Sequence, residues 1–459
     1  MLLKSPWKPY LVAMDAPPSE RLVNALAHDI IEGRLEGNDR LPPHRDVAYQ
    51  LSIGVGTVTK AYAVLERRGL IRSEKGRGTF VAALPATSEP VIDLSVNTPP
   101  RLLSERMLSK TLTSIARNIN SDLFTQYPPD GGHAEHRRQM VQWLAGLGML
   151  AKVDQLLLCN GAQQALTVAF SVTSEANGII LTEAQTYPGA ISFARHNGHC
   201  LRGVKIDREG MRPDALDRVL RRAGGENKRA VVYVTPTLQN PTTVTMGESR
   251  RTDIVSVCRK HDVMIIEDDV YSLGSTGLSP LAMLAPERTF YVNSLSKTVS
   301  PGLRIGSLVA PACFVGQAEV VLSATSSMVS PFSCAVMAEW LVNGTAESVR
   351  RSIGAESSRR LELAKSQLGD AAIFPEYEGF HIWLPMELGT ADSFVTASQA
   401  VGILVTPPSA TAVAPDGGDG GIRLCVGGPE LSDLKAALEK LSLIVMNCGR
   451  RQQPHRSYV

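Results

Sequence analysis

A lysine that is to form a Schiff base must hold its amine at the end of a rigid strand, beside groups that grip the phosphate of its carbonyl partner. Residues 293–306, "NSLSKTVSPGLRIG", have this make-up. Lys297 would be the amine, Ser294 and Ser296 offer hydroxyl donors, and Arg304 is a permanent cation with a forked geometry. Ser-x-Ser-Lys alone also occurs in serine hydrolases, so those four residues decide little. A second anion site is legible at residues 160–166, "NGAQQAL", which follow the apolar run "QLLLC" and open a helix. Free N–H groups and the positive end of the helix dipole converge there.

The elements that must position these groups follow from pattern and length. At 459 residues the chain suggests two or three domains, and 44% hydrophobic with 20% charged residues is a globular composition. A net charge of +2 gives no strong field for DNA or membranes. Residues 1–82 nevertheless hold 12 Lys and Arg against 9 Asp and Glu, more surplus than the whole chain. No apolar stretch reaches transmembrane length, the start lacks a signal-peptide run, and no membrane partner is expected. Seven scattered cysteines without a CxxC pair read as free thiols in a reducing cytoplasm, not as a zinc site or any other metal site.

From residue 91 apolar runs alternate with helical stretches: "QLLLC", "GIILT", "AVVYVT", "VMIIED", "TFYVNSL". Such alternation predicts crossover units on a mostly parallel sheet, an α/β domain. After about residue 330 a long helical stretch and separate strands, "FHIWL", "GILVT" and "IRLCV", predict a smaller α+β lobe, with a loop at 415–421. Residues 83–90, "ALPATSEP", read as a linker.

Residues 1–82 read as helix, helix, turn, helix, hairpin. Apolar residues at Leu22, Val23, Leu26, Ala27 and Ile30 keep a helical period, a short helix spans 44–51, a second spans 56–68, and residues 71–81 form a two-stranded wing. The stretch "LPPHRDVAYQLSIGVGTVTKAYAVLERRGLIRSEKGRGTFV" resembles the GntR-family winged helix-turn-helix, which places its second helix in the major groove. The resemblance implies double-stranded DNA as partner. Arg45 would grip a phosphate or a base bidentately. Thr57, Thr59 and Lys60 would meet phosphates or a thymine methyl, and Lys75, Arg77 and Gly78 of the wing would approach the minor groove. Many relatives carry a Ser-Arg-Asn-like triplet where this chain has Gly54-Val55-Gly56, so the usual arginine is missing there.

Residues 91–445 resemble fold-type-I aminotransferases, which bind pyridoxal 5'-phosphate. The resemblance gives Lys297 the cofactor and gives Ala162, Gln163, Ser294, Ser296 and Arg304 its phosphate. Tyr187 would stack on the ring, Asn240 and Tyr271 would bond the ring hydroxyl, and Asp268 would hold a proton on the pyridine nitrogen. Asp269 is adjacent, but the spacing to Tyr271 matches Asp268. Tyr127 would reach the phosphate from a second subunit, and Arg423 would clamp a carboxylate. Singly, each has a plainer reading: a solvated lysine, a surface acidic run, core tyrosines, an edge-strand arginine. Together the halves resemble the MocR subfamily of bacterial regulators. This implies a homodimer that senses the cofactor, or an amino acid or amine joined to it as an aldimine. The alternative is a working aminotransferase with an accessory DNA-binding module. The expected domains are 1–82, the linker 83–90, and 91–459 with its small lobe from about 330.

Overall fold

The apolar period at Leu22, Leu26 and Ile30 is realised as helix α1 (Pro18–Ile31), whose buried stripe packs on α3 (Val55–Arg67), which in turn packs on α2 (His44–Leu51). A computed structural model describes residues 7, 17–31, 34–67, 70–74, 77–82, 91–118, 120–174, 178–225, 229–414 and 419–450. The chain divides into two units, Met1–Pro90 and Val91–Val459.

In the first unit, Ser52 turns left-handed at the end of α2, and α3 starts at Val55, one residue ahead of the expected start. Val58, Ala61, Tyr62 and Leu65 form its inner face, and the Tyr62 hydroxyl donates to the Pro42 carbonyl at 3.1 Å. Strands β1 (Ile71–Glu74) and β2 (Gly78–Val81) pair antiparallel as the wing. The linker 83–90 and Lys75 lie outside the described residues.

The second unit opens with β3 (Ile92–Asp93) and is built on a seven-stranded sheet. Its strands are β4 (Leu156–Cys159), β5 (Ile179–Glu183), β6 (Cys200–Val204), β9 (Ala230–Val234), β10 (Met264–Asp268), β11 (Thr289–Ser294) and β12 (Gly306–Val309). A small hairpin, β7 (Ile206–Asp207) and β8 (Gly210–Met211), interrupts the series. The spatial order is β4-β12-β11-β10-β9-β5-β6, parallel throughout except β12, which runs antiparallel to both neighbours. Successive residues of β10 serve opposite faces. Ile266 packs with the helices Ala162–Thr173 and Val315–Ser326, and Ile265 with Pro213–Gly225 and Glu248–Lys260.

The smaller lobe pairs β13 (His381–Glu387) antiparallel with β15 (Asp419–Cys425), and β14 (Ile403–Leu404) parallel with β3. Two boundaries differ from expectation. β14 is only two residues long, and β15 already begins at Asp419, inside the segment expected to be a loop. Gly421 can be strand there because the Trp383 ring and the Leu384 carbonyl occupy the space of a side chain. Residues 415–418 lie outside the described residues.

The segment 236–246, which carries Asn240, is tied down by one buried cation. Arg251, 2% exposed, donates to the carbonyls of Pro236, Met246 and Ser279 and to the Thr237 hydroxyl, and lies 3.9 Å from Glu267. Removing it strands those acceptors in a dry interior. Arg251→Met is expected to cost on the order of 3 kcal/mol, read as a lowered urea midpoint, and to raise amide exchange in residues 236–246. An unchanged midpoint would show that water replaces the guanidinium.

Candidate functional site

The parallel strands end at one edge, and side chains beyond those ends line a cavity of about 450 Å³. β11 ends at Ser294, whose hydroxyl accepts from the Ser296 N–H and starts a one-turn helix, Leu295–Thr298. That turn aims Lys297 back over the sheet. The chain then returns through Arg304, which is left-handed (φ 53°), into β12. The antiparallel return sets the Arg304 guanidinium against Gly161, where it donates to the Asn160 carbonyl at 3.4 Å. Gly161 caps the helix Ala162–Thr173 with a positive φ of 79°, and a Cβ on it would collide with Arg304. The helix N-terminus, Ser294, Ser296 and Arg304 therefore face one spot, an arrangement suited to a phosphate.

Across the cavity lies a polar cluster. Arg423, 6% exposed on β15, donates from Nη1 to Asn240 Oδ1 at 2.7 Å. Its Nη2 donates to the Ser95 carbonyl at 2.7 Å and the Thr406 hydroxyl at 3.0 Å. Asn240 Nδ2 donates to the Tyr271 hydroxyl at 3.0 Å. The Lys297 amine donates to the Asn97 carbonyl and sits 5.6 Å from the centre of the Tyr271 ring. Burial lowers the Lys297 pKa to about 8, with the charges of Arg423 and Arg304 adding to the effect and Asp268 opposing it.

Asp268 closes β10 and is raised to about 6 by burial. Its Oδ2 accepts from the Tyr233 hydroxyl at 2.8 Å, while Oδ1 is buried with no hydrogen-bond partner among the described residues. Asp269 is turned away from the cavity, its two oxygens taken by the hydroxyls of Ser272 (2.6 Å) and Tyr291 (2.7 Å). Geometry thus separates the two neighbours as spacing did. An open carboxylate oxygen, a depressed lysine amine and a phosphate-sized cup are the fittings pyridoxal 5'-phosphate requires.

The cavity brings together Ala162, Gln163, Tyr187, Asn240, Asp268, Tyr271, Ser294, Ser296, Lys297, Arg304 and Arg423, all named from the sequence. The Tyr187 hydroxyl donates to Gln163 Oε1 at 3.0 Å. Tyr127 is not among them: it is 84% exposed, away from the cavity lining. Sequence reasoning missed Tyr233, hidden in an apolar strand, and the segment 95–98, which carries no motif but lines the cavity.

In the first unit, Arg45, Thr57, Lys60 and Arg77 line the outer side of α2, α3 and the wing. Arg45 and Lys60 are exposed, Thr57 is half-buried, and Arg77 is 77% exposed with Glu74 at 3.0 Å. Thr59 is committed otherwise: its hydroxyl donates to the Val55 carbonyl at 3.0 Å and lies 3.1 Å from His44 Nδ1, pinning α2 to α3. Its proton goes to Val55 and one lone pair accepts from His44, which leaves its methyl and one lone pair for outside contacts. Gly78 begins β2 rather than sitting free at a tip. Its φ is 119° and the Arg40 guanidinium lies against it, a cation the sequence reading passed over.

Two outcomes test the geometry. Asp268→Asn is expected to weaken pyridoxal phosphate binding more than tenfold by equilibrium titration, while Asp269→Asn lowers the melting temperature and spares affinity. Equal losses of affinity would mean that both carboxylates serve the cavity. The second outcome concerns pH. A lysine whose folded pKa is about 8, against 10.5 unfolded, penalises the native state while protonated, and the penalty fades as pH rises from 8 to 10.5. Lys297→Met apoprotein should be more stable than the parent below pH 8 and lose that advantage by pH 10.5. The parent's rate of Schiff-base formation should level off above about pH 8.

Comparison with known proteins agrees with both units. Residues 89–441 match the family described as aminotransferase class I and II, and residues 18–81 match bacterial regulatory proteins, gntR family. The chain is 26% identical over 388 residues to the uncharacterized HTH-type transcriptional regulator YdeF of Bacillus subtilis (strain 168), covering 82% of this chain and 83% of that protein. It is 26% identical over 404 residues to the vitamin B6 salvage pathway transcriptional repressor PtsJ of Salmonella typhimurium (strain LT2), covering 84% and 90%. The structure of Pyrococcus horikoshii kynurenine aminotransferase superposes with a TM-score of 0.71 at 22% identity, covering 80% and 93% of the two chains. The chain therefore belongs to the aminotransferase class I and II family and, with its gntR-type winged helix-turn-helix ahead of that domain, to the MocR subfamily of gntR-family regulators.

Proposed function

We propose that this protein is a DNA-binding transcription regulator whose second unit senses pyridoxal 5'-phosphate, alone or joined to an amino acid or amine. The carrying observation is the presence in one chain of a gntR-type winged helix and a cavity that assembles ten cofactor-type residues beside Arg423. Bound in that cavity, the cofactor supplies an aldehyde for amines and a ring that withdraws electrons. The chain's own groups do the rest. Burial keeps the Lys297 amine available as a neutral nucleophile, Asp268 Oδ1 can hold a proton facing the ring, and Arg423 offers its guanidinium to a carboxylate. Tyr187 would stack on the ring, and a second copy of the chain would contribute its Tyr127, which accounts for the exposure of that side chain.

On DNA, Arg45, Lys60, Arg77 and the undescribed Lys75 would meet phosphates or base edges, with the α3 N-terminus at Gly54-Val55-Gly56 holding a phosphate by its N–H groups. We place this dimeric regulator in the cytoplasm. A second reading, a working aminotransferase, is favoured by one observation: Asp268 and Arg423 are both in place.

A DNA-binding titration beside a keto-acid turnover assay separates the two. Cofactor, with or without an amino compound, should change operator affinity about five- to hundredfold. Lys297→Ala should blunt this response and leave apoprotein binding intact, because the groups lie in different units. Arg45→Ala should cost about 1–3 kcal/mol of operator affinity. Robust multiple turnover with operator affinity indifferent to every ligand would establish the enzyme instead.

A further inference from the structure

Asn97 lines the cavity, is 6% exposed, and has both side-chain atoms, Nδ2 and Oδ1, buried without a hydrogen-bond partner among the described residues. Its neighbour Val96 is 55% exposed, so the alternation turns the polar residue inward and the apolar one outward. A loose loop does not explain this. Leu94 N–H donates to the Leu404 carbonyl at 2.8 Å, and the Leu94 carbonyl accepts from Cys425 N–H at 2.9 Å. The Ser95 carbonyl is held by Arg423 and Thr406, and Thr98 packs against Gly427 and Gly428, where a Cβ would collide. The segment is fixed on both sides, yet neither polar atom of the Asn97 carboxamide is held in a hydrogen bond among the described residues. The Asn97 carboxamide directs its donor toward the Tyr271 hydroxyl without closing a hydrogen bond to it, and that hydroxyl already accepts from Asn240. Arg423 Nε is buried and unpartnered as well.

A buried carboxamide without partners is costly unless a ligand completes it. Asn97 is neutral, with one donor group and one acceptor, and lies between the Lys297 amine, bonded to its own carbonyl, and Arg423, bonded two residues away. The matching ligand carries an amine beside a carboxylate. A plain amine would satisfy Oδ1 alone and leave Nδ2 and the guanidinium unmatched.

We infer that the Asn97 carboxamide is a specificity-determining contact that selects α-amino acids over simple amines, its Nδ2 donating to the carboxylate and its Oδ1 accepting from the amine. This rests on the cofactor-sensing reading above.

The test uses full-length protein loaded with pyridoxal phosphate, titrated with each of the twenty standard amino acids and with ethylamine, and followed by the visible absorbance of the Lys297-bound cofactor. At least one α-amino acid should bind the parent more tightly than ethylamine. Asn97→Ala should weaken that amino acid about tenfold and ethylamine, which loses only the contact to Oδ1, by clearly less, while the dissociation constant of the cofactor stays within twofold. Asn97→Asp, which keeps the shape but removes the donor and adds a negative charge, should weaken the amino acid further and tighten ethylamine. Unchanged amino-acid affinity in both variants overturns the inference, as does equal loss for amino acid and ethylamine, or a parent that prefers ethylamine. A parent that forms no borohydride-reducible link at Lys297 overturns the underlying reading instead.

Discussion

Taking the Lys297 amine out of water is the constraint on which the second unit's arrangement depends. An ammonium buried at a strand end is costly, so the group titrates near 8 and is partly neutral at physiological pH. The cavity around it adds two further cations, Arg304 and Arg423, against the carboxylate of Asp268. Both arginines are steadied by neutral oxygens: Asn160 and Pro301 carbonyls for one, Asn240, Ser95 and Thr406 for the other. Neutral partners fix the guanidinium groups without cancelling their charge. The positive potential is left for whatever anion enters.

The acidic run at the end of β10 shows how a pleat sorts chemistry. Glu267, Asp268 and Asp269 are all buried. Glu267 accepts from the N–H groups of Leu281 and Ala282 and is raised to about 7 by burial and by Asp269. Asp269 is saturated by two hydroxyls. Alternation turns both away from the cavity and only Asp268 toward it, where Tyr233 fixes one oxygen and leaves the other open. Two of the three acids are scaffold, and the middle one is equipment.

Much of this was legible in the sequence, for identifiable reasons. The helices of the winged unit follow a clean 3.6-residue period, so their bounds differ by at most one residue where described. The cavity residues sit at strand ends in motifs whose spacing is dictated by one small molecule. What escaped was what has no local signal. β6 is a half-buried edge strand without an apolar run, and β12 hides behind the lysine motif. β15 starts within glycines because Trp383 fills the room beside Gly421. Asn97 acquires its meaning only when β3 pairs with β14, some 300 residues away in sequence.

That pairing has a mechanical corollary. β3 starts one residue after the second unit begins at Val91, and Ser95, which Arg423 grips, follows within four. The covalent slack between the guanidinium's anchor and the tether of the first unit is therefore four residues, two of them locked in a strand. A spring that short stores almost no play. Ile92 and Leu94 also donate to the carbonyls of Gly402 and Leu404, so the stretch from position 91 to Ser95 is held to the smaller lobe along its length.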